Sequence, residues 1–596
     1  MPENAAPYQD RLNSFRQKIA EMGLDGFIVH RTDEYQGEFI AACAERVAWL
    51  TGFTGSTGTV IVLKDRAVVF TDGRYSIQVE RETDPALYES QDSGAITPGQ
   101  WLSQNARESS AIGFDPWLHT PVQLEKIYKE IKGRMVLKPI PVNPLDSIWT
   151  ARPGKPMNPA EIFPNDIAGS DSLTKRADLA LKLKEKGADA CLLTACDSIC
   201  WLLNVRGRDV LYAPLVLSYA LLHADGTLDW FIDSRKAQTA ILDHVGQGVR
   251  VMPQENMAVR LSQLAGRKVL FDRDRSPVWF EQKLLEAGAQ VIAAKDPAEL
   301  PKAIKNESES ASIRDVHIRD AVAVIQLLHE LDREAHKGRM TEIEVDEKIQ
   351  QYRIQQFGYQ GPSFATIAGY NENGAVIHYR ATPETNAKIE PPGLLLIDCG
   401  GQYSWGTTDI TRTVAIGEPT PEMKLHYTLV LKGHIALSRA KFPEGTTGVQ
   451  LDTLARQYLW DAGLDYAHGT GHGVGCYLGV HEGPVSISPR GNEPLRDGML
   501  LTNEPGYYRK GEYGIRIENI LQVRVEKEEP VGPRLLGFRT LTLVPYDPRL
   551  ILKERLTVDE NIWLRAYYLD IEEMIGPKLR PETRKWLNAQ TAPILS

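Results

Sequence analysis

Apolar and polar positions in the first half of the chain follow one pattern twice. Each copy begins with a stretch of helical spacing followed by a short apolar run that is typical of a buried strand. A tryptophan-containing segment and a further apolar run with an aspartate then follow in both copies. The paired segments are MGLDGFIV (Met22–Val29) and KGADACLL (Lys186–Leu193), RVAWLTGFTG and SICWLLNVRG, and FTDGRY and FIDSRK. The pattern therefore predicts one α/β unit used twice.

Two breaks in the pattern predict the domain boundaries. The segment ARPGKPMNP (Ala151–Pro159) carries three prolines and a glycine, which is typical of a linker. The second break lies near KDPAELPKAIKNESES (Lys295–Ser310), before a long helical pattern. We therefore predict three domains, at residues 1–153, 154–303 and 304–596.

The third domain opens with helices that can be located from their spacing. Apolar residues recur four, three and three positions apart, as one buried helical face requires, at Ile318, Val322, Ile325 and Leu328. The segment Thr341–Glu344 has the TEIE pattern of a capping box, and Gln450–Gly463 predicts a further helix that stops at its glycine. Helices and strands alternate from there to the end. The predicted fold class is α/β (α+β), with two related N-terminal α/β domains and one larger C-terminal domain.

Two aspartates lie on apolar strands of this third domain. Asp398 ends an apolar run, and the alternating β-branched segment Thr407–Thr413 predicts a partner strand with Asp409, Thr411 and Thr413 on one face. A hairpin would bring the two aspartates together, where they repel each other unless a proton or cation lies between them. These two residues alone leave open a second interpretation, in which Asp409 is solvated beside a turn aspartate.

Two glutamates follow on strands that otherwise resemble core. Glu504 ends the apolar run in LLTNEPGYY, and Glu518 lies in GIRIENILQV, which predicts a single strand. Taken alone, Glu518 is more often a surface residue. Together with Asp398 and Asp409, however, these residues make four carboxylates in core-like strands. That pattern is typical of a site for hard divalent cations, which prefer oxygen ligands.

The segment HGTGHGVG (His468–Gly475) has glycines at alternate positions. It matches neither the G-x-G-x-x-G fingerprint nor a P-loop, and it lacks the glutamate of the H-E-x-x-H zinc helix. Alternate glycines favour an extended segment that a ligand or another backbone approaches closely, with His468 and His472 on one face. His481 follows nearby. A glycine-rich hairpin with incidental histidines is the alternative, although three of only 13 histidines fall within this stretch.

Composition and charge narrow the class of protein. The net charge is −10, which argues against a nucleic-acid partner because phosphate contacts require a basic face. The polar start of the chain lacks the apolar core of a secretory signal, and no apolar run is long enough for a membrane span. The six cysteines form no C-x-x-C pair, so we expect reduced thiols, with Cys399 as a core residue rather than a nucleophile.

The third domain resembles the pita-bread metallopeptidases, a family that includes methionine aminopeptidase, prolidase and aminopeptidase P. The resemblance rests on five segments in the same order: IDCGGQYSWGTTDITRT, HGTGHGVG, HEGP, TNEPGYY and GIRIEN. The two preceding units resemble those of the three-domain, cytosolic Xaa-Pro aminopeptidases, through WLTGFTGSTGTVIV, TDGRY and WLLNVRGRDV. The resemblance covers essentially the whole chain.

The resemblance implies a role for nine residues. The expected ligands of two divalent metal ions, usually Mn²⁺, are Asp398, Asp409, His472, Glu504 and Glu518. Of these, Asp409 and Glu518 would bridge both ions. The expected substrate-site residues are His378, His468 and His481, together with Arg74 from the N-terminal domain. Four carboxylates and one histidine fit manganese by ligand hardness.

The same resemblance implies the reaction. A hydroxide that bridges the metals would attack the carbonyl before proline, His481 or His378 would stabilise the oxyanion, and Glu504 would pass a proton to the prolyl nitrogen. The implied substrates are peptides with proline at the second position, and the implied enzyme is a cytoplasmic homodimer without membrane or nucleic-acid partners. A prolidase confined to dipeptides is the nearest alternative, and a start-methionine aminopeptidase would not need so long an extension. A non-catalytic pita-bread binding module is a third alternative, but such modules lose ligands.

Overall fold

The computed structural model of the chain describes residues 5–527, 532 and 534–595. It divides into two compact units, Met1–Glu299 and Leu300–Ser596. This division lies close to the predicted boundary at residue 304. The division of the first unit at residue 153 stays a prediction.

The first half of the first unit is an α/β layer structure. Its strands are β1 (Gly26–His30), β2 (Thr59–Leu63), β3 (Ala67–Thr71), β4 (Glu89–Asp92), β5 (Ala111–Phe114) and β6 (Val136–Pro139). Its helices are α1 (Ala5–Glu21), α2 (Arg46–Thr51), α3 (Ser76–Glu82), α4 (Pro98–Asn105), α5 (Pro121–Ile131) and α6 (Pro144–Ile148). Among the described residues the strands form one sheet in the order β4-β3-β2-β1-β5-β6.

The second half repeats this arrangement. Its strands are β7 (Glu161–Ile162), β8 (Ala190–Leu193), β9 (Val205–Arg206), β10 (Tyr219–His223), β11 (Leu228–Phe231), β12 (Val249–Met252), β13 (Lys268–Phe271) and β14 (Gln290–Ala293). Its helices are α7 (Asn165–Ala168), α8 (Ser172–Glu185), α9 (Cys196–Leu203), α10 (Thr239–Val245), α11 (Met257–Ser262) and α12 (Val278–Glu286). The main sheet has the order β12-β11-β10-β8-β13-β14, and β7 pairs with β9.

The predicted internal repeat is confirmed by the two main sheets. In each sheet the central strand, β1 or β8, pairs antiparallel on one side and parallel on the other. Both central strands lie where the apolar runs predict them. The repeated tryptophans also take equivalent places, because Trp49 lies in α2 and Trp201 lies in α9.

The second unit contains the remaining elements. Its helices are α13 (Glu299–Ala303), which begins at the last residue of the first unit, α14 (Glu307–Glu334), α15 (Glu342–Ile354), α16 (Pro421–Ser438), α17 (Gly448–Trp460), α18 (Val558–Met574) and α19 (Pro581–Leu595). Its earlier strands are β15 (Met340–Thr341), β16 (Tyr359–Pro362), β17 (Ile367–Tyr370), β18 (Lys388–Ile389), β19 (Gly393–Cys399), β20 (Gly401–Tyr403), β21 (Gly406–Thr407) and β22 (Ile410–Ile416). Its later strands are β23 (Phe442–Pro443), β24 (Gly471–Gly473), β25 (Glu482–Ile487), β26 (Leu500–Asn503), β27 (Gly506–Arg509), β28 (Tyr513–Arg516), β29 (Asn519–Lys527) and β30 (Leu535–Thr540).

The predicted helices of this unit are confirmed. The face of α14 that carries Val322, Ile325 and Leu328 is buried, and Ile318 packs partly buried against the same core. Thr341 forms the predicted capping box at the start of α15. The core also includes apolar side chains of β19, β22, α16 and α18. The strand that ends near Asp398 is therefore buried over its whole length.

Two sheets of the second unit hold the segments that carry the candidate ligands. One has the order β17-β19-β22 and pairs Asp398 with Thr411 across antiparallel strands. The other has the order β23-β30-β29-β26-β24-β25 within the described residues. Strands β27 and β28 form a separate hairpin.

The prediction of one continuous strand in GIRIENILQV was wrong. Strand β28 ends at Arg516 and β29 begins at Asn519. The chain changes partner here, from β27 to β26. The two backbone amides at the break donate elsewhere, Ile517 to the Pro505 carbonyl (3.2 Å) and Glu518 to the Thr411 carbonyl (3.1 Å). The break therefore places Glu518 beside the strand that follows Asp409.

All six cysteines lie within the described residues and are buried free thiols. Burial raises the pKa of Cys399 to about 12, and the nearby Arg353 guanidinium only partly opposes this effect. A thiol in that state is a poor nucleophile, so the interpretation of Cys399 as a core residue is confirmed.

None of the helices among the described residues has the length and apolarity of a membrane span.

Candidate metal centre

Four of the five predicted ligands lie at or directly beside strand ends, and the fifth, His472, lies within the short strand β24. Asp398 is the last but one residue of β19, Asp409 directly precedes β22, and His472 is the middle residue of β24. Glu504 directly follows β26 and Glu518 directly precedes β29. Regular backbone pairing between strands stops at a strand end. Side chains at these positions can therefore point into a shared space without disrupting the sheets.

Distances place four of the five ligands in one cluster. One ligand atom from each of Asp409, His472 and Glu518 lies within 4.8 Å of the others. His472 Nε2 also lies 3.5 Å from Asp409 Oδ2 and 3.5 Å from Glu504 Oε1. Such spacing suits groups that share a cation, since the atoms are too far apart for strong direct hydrogen bonds.

Asp398 joins the cluster through its charge and through Arg516. The Arg516 guanidinium donates from Nη2 to Asp398 Oδ2 at 2.6 Å. The other carboxylate oxygen, Oδ1, is buried and accepts no hydrogen bond from any described residue. A buried carboxylate oxygen without a partner is costly. A bound cation would satisfy it.

Burial and the repulsion between neighbouring carboxylates raise the pKa values of Asp398, Glu504 and Glu518. Burial raises the pKa of Asp398 to about 6, with Arg516 opposing and Asp409 adding to the rise. Burial, with the charges of Asp409 and Glu504, holds the pKa of Glu518 well above its ordinary value. Burial also raises the pKa of Glu504, although His472 opposes it. Three clustered carboxylates whose charge is disfavoured, beside the buried carboxylate of Asp409, fit a site for two hard divalent cations.

His472 behaves as a group held between anions. Burial alone would lower its pKa, but the nearby carboxylates of Asp409 and Glu504 raise it to about 9. Without metal the imidazole is therefore protonated at neutral pH. Because a metal ligand must be neutral imidazole, a metal that bound His472 would release this proton.

The metal-free protein is expected to lose stability as pH rises. The folded pKa of Asp398, about 6, exceeds its ordinary 3.8, and that of His472, about 9, exceeds 6.5. Each raised pKa gives stability that is complete below the ordinary value and is lost as pH rises through the folded value. The thermal midpoint of chelator-treated protein should therefore fall between about pH 4 and pH 9. Metal-saturated protein is the control, and an equal fall in both forms would contradict the assignment.

A hydrogen-bond network lies under the ligands. Arg516 donates from Nη1 to the Tyr508 hydroxyl (2.6 Å) and from Nε to Thr411 Oγ1 (3.2 Å), and the Thr411 hydroxyl donates to Glu518 Oε2 (2.7 Å). One buried guanidinium thus links the supports of two ligands. Sequence reasoning assigned no role to Arg516, Tyr508 or Thr411. The available signal was an arginine in an otherwise apolar strand, which requires a buried anionic partner.

The three candidate substrate-site histidines lie in the same region. His468 Nε2 lies 2.8 Å from the Tyr508 hydroxyl, and the rings of His481 and His472 are 4.4 Å apart and perpendicular. His378 follows Ile377, whose carbonyl accepts a hydrogen bond from Arg516 (3.4 Å). The prediction that His468 and His472 share one strand face was wrong, because β24 contains only Gly471–Gly473.

The alternate glycines serve close backbone approach. A Cβ at Gly471 would lie 1.9 Å from the Thr502 carbonyl oxygen, and one at Gly473 would lie 2.2 Å from that of Glu482. Larger residues would push β24 away from its neighbours and displace His472. The expected close approach is therefore confirmed for neighbouring strands.

Arg74 lies in the first unit, after β3. Its guanidinium donates from Nη2 to Asp72 Oδ2 (2.7 Å), and Arg235 makes the same contact with Asp233 in the second copy. The contact with bound peptide that the resemblance implies for Arg74 stays a prediction.

Family models match most of the chain. The model of metallopeptidase family M24 matches residues 311–525, and that of the C-terminal region of peptidase M24 matches residues 534–594. Two models of the creatinase/prolidase N-terminal domain match residues 11–147 and 151–309. The two N-terminal matches fall on the two halves of the repeat.

Curated relatives match along nearly the full length. Aminopeptidase P2 of Arabidopsis thaliana is 37% identical, over 98% of this chain and 88% of the relative. A probable Xaa-Pro aminopeptidase P of Colletotrichum graminicola is 36% identical, over 98% of this chain and 99% of the relative.

Solved structures agree on the fold. The X-prolyl aminopeptidase of Caenorhabditis elegans, described as a cytosolic enzyme with a di-nuclear active site, superposes with a TM-score of 0.94 at 34% identity. It covers 98% of this chain and 99% of its own. The prolidase of Pyrococcus horikoshii OT3 shares the fold alone, with a TM-score of 0.51 at 23% identity, and covers 63% of this chain and 99% of its own.

Proposed function

The chain belongs to metallopeptidase family M24, and from this premise we propose that it is a metallo-aminopeptidase that hydrolyses the N-terminal Xaa-Pro bond of peptides. Its architecture is two creatinase-type N-terminal domains followed by a pita-bread catalytic domain. The observation that carries the proposal is the convergence of Asp409, His472 and Glu518 within 4.8 Å in a chain that matches Xaa-Pro aminopeptidases over 98% of its length.

The proposed metal site holds two divalent ions. The residues that would hold these ions are Asp398, Asp409, His472, Glu504 and Glu518. We propose Mn²⁺ as the metal, because the donor set consists mainly of hard carboxylate oxygens. When bound, such ions lower the pKa of a water and polarise the scissile carbonyl.

The side chains around this site divide the remaining work. Glu504 takes a proton from the attacking water and passes it to the prolyl nitrogen, a role supported by its raised pKa, which results from partial removal from water. His481, beside His472, or His378 donates to the developing oxyanion. His468 positions Tyr508 and, through it, Arg516 and Asp398.

The proposed substrates are peptides with proline at the second position. The Xaa-Pro amide carries no N–H and has a fixed ring, so a dedicated pocket is needed to accept it. We also propose that Arg74 contacts bound peptide and that the enzyme is a homodimer, as the family resemblance implies. The proposal of a cytoplasmic location is supported by the description of the Caenorhabditis elegans relative as cytosolic.

Peptide length and sequence separate this function from its alternatives. Protein reconstituted with Mn²⁺ should release arginine from Arg-Pro-Pro and should leave Arg-Ala-Pro, the matched control, intact. Metal analysis should give two ions per chain. Activity confined to the dipeptide Arg-Pro would favour a prolidase, and full metal loading without cleavage of any of these peptides would favour a binding module.

A further inference from the structure

Glu482 directly follows His481 and is the first residue of β25. Its side chain is buried, with 4% exposure, and both carboxylate oxygens are bound by buried lysines. Lys302 Nζ contacts Oε2 at 2.9 Å, and Lys305 Nζ contacts Oε1. These lysines lie in α13 and just after it, at the start of the second unit. We call Lys302, Lys305 and Glu482 the lysine clamp.

The backbone pairing between β24 and β25 is irregular next to His481. We therefore expect side-chain contacts to help fix the position of this segment. Gly473 of β24 pairs with Glu482, whereas the preceding residue, His472, pairs with Ser486. Three residues of β25 therefore lie between two consecutive pairing positions. His481 itself lies outside the strand and is exposed. Its position relative to His472 thus depends on how firmly Glu482 is fixed.

The charges of the lysine clamp indicate that it orients the Glu482 carboxylate rather than adding to the stability of the fold. One lysine would neutralise Glu482, and a second buried ammonium adds a desolvation cost. Two lysines, however, hold both carboxylate oxygens and prevent the carboxylate from rotating. Lys302 and Lys305 are only 2% and 4% exposed, so this group is enclosed within the protein.

We propose that the lysine clamp is a positioning device that fixes Glu482 and thereby sets the position of His481 for catalysis. The clamp acts through His481 and contacts no substrate. The assignment rests on the proposed function, because it gives His481 its role beside His472.

Kinetics of lysine variants test the clamp. Lys305→Met and Lys302→Met should lower kcat for Arg-Pro-Pro by about 10-fold to 100-fold, since a displacement of about 1 Å at a catalytic group can cost that much. KM and the metal content should stay close to those of the wild type. Lys585→Met, at an exposed position of α19, is the matched control and should keep full activity. Glu482→Gln removes the negative charge that both lysines contact and so could disturb folding, which is why the lysine variants carry the test.

A double-mutant cycle separates positioning from a general structural role. In a His481→Ala background, Lys305→Met should change kcat by less than about 2-fold, because the group that the clamp positions is gone. An equal loss in both backgrounds would overturn the proposal.

A crystallographic comparison gives a readout that needs no activity. In metal-loaded Lys305→Met crystals the His481 imidazole should be displaced relative to His472, and an unchanged His481 would also overturn the clamp. Wild-type protein that binds two metal ions but leaves Arg-Pro-Pro intact would overturn the proposed function instead. The displacement of His481 would still decide the clamp in that case.

Discussion

We expect Asp409→Asn and Glu518→Gln each to abolish peptide hydrolysis while leaving the fold intact. Both carboxylates are buried, and their ligand atoms lie within 4.8 Å of each other and of His472. An amide keeps the shape but removes the charge that would hold two cations in the proposed site. The loss should reach about 1,000-fold or more in kcat/KM, because metal activation contributes several kcal/mol to the transition state.

The thermal stability of Glu518→Gln should change in the opposite direction to its activity when no metal is bound. In metal-free protein, burial and the charges of Asp409, Glu504 and Asp398 oppose ionisation of Glu518. Glu518→Gln removes that repulsion and retains an acceptor for the Thr411 hydroxyl. Chelator-treated Glu518→Gln should therefore unfold at a higher temperature than chelator-treated wild type near pH 8. Glu573→Gln, at an exposed position of α18, is the matched control for both measurements. Unimpaired cleavage by Asp409→Asn or Glu518→Gln would contradict the two-metal assignment.

Arg516→Met is expected to weaken both the fold and metal binding. The guanidinium is buried and contacts Asp398, Tyr508 and Thr411. Removing one partner of a buried ion pair costs roughly 3–5 kcal/mol, because the remaining charge is left without compensation. Loss of a group that orients metal ligands typically costs about 10-fold to 100-fold in metal affinity or activity. Denaturant unfolding and metal titration measure the two effects.

The conservative variant separates charge from geometry at this position. Arg516→Lys keeps the positive charge beside Asp398, but an ammonium cannot reproduce the planar donor arrangement that reaches three partners. It should recover most of the lost stability and only part of the metal affinity. Arg524→Met, on the partly exposed part of β29, is the control for loss of an arginine. Wild-type metal affinity in Arg516→Met would contradict the supporting role of Arg516.

The sequence predicts the elements of the site better than their connections. The repeat, α14 and the strand positions of Asp398 and Glu504 follow from local periodicity, which reports burial one residue at a time. The break at Ile517–Glu518 does not, because it arises when the chain changes partner from β27 to β26. Local apolar spacing is the same on both sides of such a change, so the pattern predicts one strand.

Side-chain contacts between residues far apart in the chain cannot be predicted from the sequence for a related reason. Lys302 and Glu482 are 180 positions apart, and Arg516 and Asp398 are 118 apart. No local pattern pairs a particular lysine with a particular glutamate at such separations. Burial of a charged residue is the sole local hint, and that hint is visible only after the core has been defined. The five ligands were accessible because the family resemblance supplied what spacing could not.

The proposed ligands lie in or directly beside five strands that are far apart in the sequence, β19, β22, β24, β26 and β29. This arrangement has a consequence for biosynthesis. A nascent chain that has emerged only as far as the end of β26 lacks both Glu504 and Glu518, so it offers an incomplete set of the proposed donors to passing ions. Long-range strand pairing is also slow compared with helix formation. Ion loading must therefore be a late event that follows synthesis of the last ligand and closure of the sheet around it.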